Sequence, residues 1–129
     1  MRILLADDQT EVRMALRILL GQESGLDIVE ETGELGDLLA KTKESRPDLI
    51  LLDWELSNLR VSDVIPLLRS LQPGLRIIAL SGRPEASRAS AAAGVDAFVS
   101  KGEYPDRLLE TIYRLGRDVG KEGGRGAAL

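Results

Sequence analysis

The sequence predicts an α/β fold: a (βα)5 sandwich with a five-stranded parallel sheet and helices on both faces. Three observations lead there. Five short runs, at residues 3–6, 26–30, 49–52, 77–80 and 97–100, have the length of strands and, apart from Asp27, Glu30 and Ser100, are apolar. Longer amphipathic stretches lie between them. Turn residues separate one kind of segment from the other. Near-continuous apolar strands alternating with helices mean a parallel sheet covered on both sides.

Each element has its own warrant. After the first strand, Val12, Leu16, Leu19 and Leu20 recur at helical spacing, and after the second so do Leu35, Leu38, Leu39 and Thr42. Pro47 precedes the third strand, which leads to a helix marked by Val64, Leu67, Leu68 and Leu71. Pro73-Gly74 announces the fourth strand and Gly94 the fifth. Pro84 and Pro105 stand where the fourth and fifth helices would open. Leu108, Leu109, Ile112, Tyr113 and Leu115 mark the fifth. Right-handed crossovers leave few ways to arrange five such units, and strand order 2-1-3-4-5, the flavodoxin-like order, is favoured. Residues 1–116 form the domain. Residues 117–129 read as a frayed helix end followed by a Gly-rich tail or linker.

Composition excludes several functions. The chain has 129 residues, enough for one domain with a real core. It has no Cys and no His, so disulfides, thiolate sites, the commonest general base and the commonest transition-metal ligand are all absent. Net charge is −4 and aromatics are 3%, a poor basis for binding nucleic acid directly. No apolar run approaches a membrane span, and the N-terminus lacks a signal-peptide core before its acids. A cytoplasmic protein is the expectation.

In an open parallel sheet, ligands bind beyond the carboxyl ends of the strands. Those ends carry Asp7 and Asp8, Asp53, Ser81 and Lys101. Strands 1 and 3 are neighbours in the predicted order, so three carboxylates converge beside a hydroxyl and an ammonium. Crowded carboxylates raise each other's pKa unless a cation sits among them. Oxygen ligands without His or Cys suit a hard cation, Mg²⁺ before others. Lys101 and Ser81 would complete a pocket for a phosphoryl group, with Asp53 as the nucleophile that forms an aspartyl-phosphate.

The pieces "ILLADD", "LILLDWEL", "IIALSG" and "AFVSKG", in this order and at strand ends, resemble the receiver domain of two-component response regulators. The resemblance implies that Asp53 accepts a phosphoryl group from a histidine kinase or a histidine phosphotransfer protein. It implies Mg²⁺ held by Asp7, Asp8, Asp53 and the backbone carbonyl of Glu55. Lys101 and Ser81 would contact the phosphoryl oxygens, and Phe98 would move as Ser81 shifts. Glu55 and Arg83 would tune phosphorylation and dephosphorylation. Such a domain is no enzyme toward other substrates; it catalyses only its own phosphoryl transfer and slow dephosphorylation. A homodimer through helix 4, strand 5 and helix 5, or through helices 1 and 5, is a further expectation, and the small-residued "RPEASRASAAAG" of helix 4 suits packing.

Simpler readings exist for each residue. Asp8 could cap the first helix, Asp53 could be a turn residue, Ser81 loop chemistry and Lys101 a solvated cation; their convergence favours the functional reading. Phe98 fits core and switch aromatic alike. Trp54 reads as a packing residue beside the site. Glu55 and Arg83 could form an exposed ion pair of little energetic weight. The stretch "DWELSNLRVSDV" departs from the family, with Ser57 where Pro is common and Val61 near an expected Gly. Ser62 then becomes a candidate cap for the third helix. Gly102 stands where Pro often follows the lysine, which removes an expected cis-Pro turn. The altered loop motivates an alternative function: a receiver-like interaction module that does not depend on phosphorylation.

Overall fold

A computed structural model describes residues 1–56 and 60–128, with side chains described as far as residue 117. Five strands, β1 (Arg2–Ala6), β2 (Asp27–Thr32), β3 (Leu49–Asp53), β4 (Arg76–Ser81) and β5 (Ala97–Ser100), pair in parallel in the order β2-β1-β3-β4-β5. The predicted order is the observed one. Five helices connect them: α1 (Thr10–Gly21), α2 (Leu35–Ser45), α3 (Val64–Leu71), α4 (Ala86–Ala93) and α5 (Asp106–Ala128). Part of the tail expected after residue 116 falls on residues whose side chains lie outside those described.

Side-chain alternation explains how the apolar runs of β1, β3 and β4 build two cores. Successive residues point to opposite faces of a sheet. Ile3, Leu5, Leu49, Leu51, Ile78 and Leu80 turn one way and meet Leu16 and Leu20 of α1 and Leu108 and Ile112 of α5. Leu4, Ala6, Ile50, Leu52 and Ile77 turn the other way and meet Leu38 of α2 and Ile65 and Leu68 of α3. Every residue of β3 is buried, as a central strand covered on both faces requires.

Opposite the candidate site, one aspartate ties several elements together. Asp96, just before β5, accepts hydrogen bonds from the Ile77 amide and from Arg69 of α3, each at 2.7 Å. Arg69 also donates to the carbonyls of Gly94, at 2.8 Å, and Leu75. Gly94 itself ends α4 with φ +96°, a conformation that costs glycine nothing and most residues more.

Three local expectations change. The strands run slightly longer than predicted: β3 includes Asp53, β4 includes Ser81, and β2 is displaced toward Thr32. Ser62 does not cap α3; it lies inside a short 3-10 turn, Val61–Asp63, and Asp63 precedes the helix without a side-chain cap. A cis peptide does occur after Lys101, between Tyr104 and Pro105. No helix among the described residues is long and apolar enough to cross a membrane.

Candidate functional site

Strand register brings the predicted residues together. Ala6 pairs with Leu52, so Asp7 and Asp53 leave adjacent strands side by side. Asp53 pairs with Leu80, which puts Ser81 one residue beyond it, and Ser81 pairs with Ser100, the residue before Lys101. Four neighbouring strand ends thus present two acids, a hydroxyl and an ammonium along one edge. Asp8 follows Asp7, and one carboxylate oxygen each from Asp7, Asp8 and Asp53 lie within 4.8 Å of one another.

Burial differs sharply among them. Asp7, Asp53 and Ser81 are 1%, 3% and 0% exposed, whereas Asp8 is exposed. The Lys101 ammonium donates to Asp7 Oδ2 at 2.9 Å and lies 3.4 Å from Asp53 Oδ1. Asp7 also accepts from the Gln9 amide at 2.9 Å, and Asp53 from the Glu55 amide at 3.1 Å. Burial pushes the Asp53 carboxyl above its ordinary pKa and the Asp7 charge adds to this; the Glu55 amide and Lys101 offset only part. For Lys101, burial alone would lower the pKa, but its bonds and attraction to Asp7 and Asp53 outweigh it and the net direction is up.

One ammonium among three carboxylates leaves negative charge uncompensated. The donors are oxygen only, and three carboxylates lie close enough to share one ion. This donor set fits Mg²⁺, which prefers oxygen ligands and retains waters.

The simpler reading of Asp8 as a cap is not what is found. Gln9 occupies the N-cap of α1 without a side-chain bond, and it is Asp7 that accepts the nearby amide. Glu55 and Arg83 do not form an ion pair among the described residues. The Glu55 carboxylate instead accepts the Ser81 hydroxyl, at 2.8 and 3.0 Å to its two oxygens, while the Arg83 amide donates to Ser81 Oγ at 3.0 Å. Phe98 is half-buried and is not among the buried residues of either core. Trp54 is half-buried and packs against the α2–α3 side, as expected of a packing residue. The loop departure at Ser57 falls on residues 57–59, outside those described.

Two neighbours escaped the sequence reading. Arg13 of α1 donates to the Asp7 carbonyl at 2.5 Å and pairs with Glu31 at 3.3 Å. Gly33 makes room for it, since a Cβ there would lie 3.0 Å from the Arg13 guanidinium. The Tyr104 hydroxyl is buried without a hydrogen-bond partner among the described residues, and burial, then Asp7 and Asp53, raise its pKa strongly. Neither position repeats with a strand end, so only the folded chain reveals them.

Residues 3–113 match the family model of the response regulator receiver domain, and the chain belongs to that family. It is 34% identical over 104 residues to the virulence factors putative positive transcription regulator BvgA of Bordetella pertussis, covering 79% of this chain and 49% of that protein. It is 25% identical over 118 residues to the chemotaxis protein CheY of Thermotoga maritima, covering 90% and 98%. Among solved structures, the CheY-like receiver domain protein of Methanospirillum hungatei JF-1 superposes with a TM-score of 0.82 at 30% identity, covering 94% of this chain and 97% of that one. The chain spans about half the length of the transcription regulators it matches, for instance 54% of DevR/DosR of Mycobacterium tuberculosis. It is a receiver domain of the two-component class, with the five-stranded fold of that family.

Proposed function

We propose that this chain is a phosphorylation-dependent switch in which Asp53 accepts a phosphoryl group from a histidine kinase or a histidine phosphotransfer protein. The observation that carries this reading is the convergence of Asp7, Asp8 and Asp53 within 4.8 Å, with Lys101 bridging the two buried members. An Asp53 oxygen attacks the donor's phosphorus and the donor's phosphorus–nitrogen bond breaks, leaving an aspartyl-phosphate. Lys101 stands 3.4 Å from that oxygen and meets the negative charge of the incoming group. Asp7, Asp8, Asp53 and the Glu55 carbonyl would hold Mg²⁺, which supplies charge neutralisation and orientation for the transfer. Ser81, at the end of the next strand, becomes the donor that reads the new oxygens, and half-buried Phe98 on β5 responds.

Supporting this reading, residues 3–113 match the family model of the response regulator receiver domain. Beryllofluoride, a phosphoryl mimic, tests it directly. With Mg²⁺ present it should change the Trp54 fluorescence of the wild type and leave Asp53→Asn unaffected. No response from the wild type contradicts the reading.

Dimerisation belongs to the same proposal. Of the two faces, the α1/α5 side bears exposed apolar residues among those described: Met14 and Ile18 on α1 and Tyr113 on α5. An exposed apolar cluster is a natural contact surface. The competing reading, an interaction module indifferent to phosphate, rests on the loop after Leu56, and residues 57–59 lie outside those described.

A further inference from the structure

A serine hydroxyl has a single proton to donate. Ser81 spends it on Glu55, whose two carboxylate oxygens lie 2.8 and 3.0 Å from Oγ. The Arg83 amide occupies the acceptor side of the same oxygen at 3.0 Å. Ser81 is fully buried, so the hydroxyl cannot take a new acceptor while Glu55 stays in place. Glu55 also touches the other half of the site, because its amide donates to Asp53 Oδ1 at 3.1 Å. Its backbone thus supports the acceptor carboxylate while its side chain spans the gap from the end of β3 to the end of β4.

We propose that Glu55 is a positioning residue that holds Ser81 in the resting arrangement and must release it before the domain can switch. This rests on the phosphoacceptor reading of Asp53. Ser81 can donate to Glu55 or to a phosphoryl oxygen on Asp53, not to both. The Glu55 carboxylate and the phosphoryl group also repel across the same gap. Both competing bonds run from a hydroxyl to an anion, so their strengths are similar and neither arrangement wins by a wide margin. A difference of this size sets a population, which makes Glu55 a determinant of how much switched domain a given phosphoryl load yields. The side chain can be removed without touching the backbone amide and carbonyl that serve Asp53 and the cation.

The test is a beryllofluoride titration with Mg²⁺, read by Trp54 fluorescence, on the wild type, Glu55→Ala, Glu55→Gln, Ser81→Ala and the Glu55→Ala/Ser81→Ala pair. Glu55→Ala should bind roughly tenfold tighter than the wild type, the scale of one hydrogen bond to a charged group. Glu55→Gln should fall between, because its amide oxygen still accepts the Ser81 hydroxyl while the charge is gone. Without the Ser81 hydroxyl, the gain from removing Glu55 should shrink. Glu55→Ala binding no tighter than the wild type overturns the proposal. So does a gain equal in Glu55→Gln and undiminished beside Ser81→Ala, since charge alone would then explain it. A wild type that binds no beryllofluoride overturns the phosphoacceptor reading itself.

Discussion

Asp53 is buried beside Asp7, and ionising it there is costly to the fold. Its pKa is raised by burial first and by Asp7 second. A carboxyl raised in the folded state stabilises most when protonated; that contribution is complete below its ordinary pKa and is lost as pH rises through the higher folded value. Ionising Asp53 therefore costs the fold stability, which Lys101 and the Glu55 amide offset only in part. Asn at this position still accepts the Glu55 amide, and Lys101 still has Asp7 at 2.9 Å. Asp53→Asn should raise stability in metal-free buffer by about 1 kcal/mol, roughly 3–6 °C in Tm, and Mg²⁺ should no longer stabilise the variant. An unchanged or lower Tm contradicts the electrostatic account of the site. Tyr104 offers a second residue-level test. Burial and the acids raise its phenol strongly, so its neutral form supports the fold up to about pH 10 and that support is lost as pH climbs through the folded value. The chain has two tyrosines, and Tyr113, whose hydroxyl donates to Glu23, is the exposed one. An alkaline titration of phenolate absorbance should show one tyrosine ionising reversibly in the folded protein and the other only as the chain unfolds. Reversible ionisation of both tyrosines in the folded protein contradicts this burial of the Tyr104 hydroxyl.

The elements themselves were legible because their cause is local. Apolar periodicity of two and of 3.6 residues, with Pro and Gly between, decides which segments can be strands and which helices, and parallel topology follows from the alternation. Asp7, Asp53, Ser81 and Lys101 were legible for the same reason: a residue that ends a strand in this fold ends at the ligand edge. What was not legible is set by side-chain reach across the tertiary structure. Nothing in the spacing of Glu55 and Ser81 says that they bond to each other rather than to Arg83 and solvent. Nothing between Asp7 and Arg13 announces that a guanidinium will sit on the Asp7 carbonyl. The 3-10 turns Val61–Asp63 and Lys101–Glu103 are too short to leave a periodic trace, so spacing alone points to Ser62 as the cap of α3. At this scale Asp96 is the joint to test. Asp96→Ala would strip the Ile77 amide of its side-chain acceptor and Arg69 of its carboxylate partner at the amino-terminal side of β4 and β5. The expected loss is roughly 2–3 kcal/mol, read from the urea midpoint, with beryllofluoride affinity retained because the site lies at the opposite strand ends. A loss of affinity in the folded variant would show that the two ends are coupled.

For the whole molecule, one continuous sheet with a core on each face carries a charged cluster at one edge. The α1/α5 side bears exposed Ile18 and Met14, which a second copy would cover. Beryllofluoride with Mg²⁺ should shift the apparent mass toward a dimer, and Ile18→Glu should keep the chain monomeric while still binding the mimic. A dimer that persists in Ile18→Glu assigns the contact to the α4–β5–α5 side instead. The most direct measurement remains chemical. Incubating the chain with a small phosphodonor and Mg²⁺ and weighing it intact should show one added phosphoryl group on the wild type and none on Asp53→Asn. A wild type that gains no phosphoryl group, or an adduct that survives Asp53→Asn unchanged, contradicts the assignment of Asp53 as the acceptor.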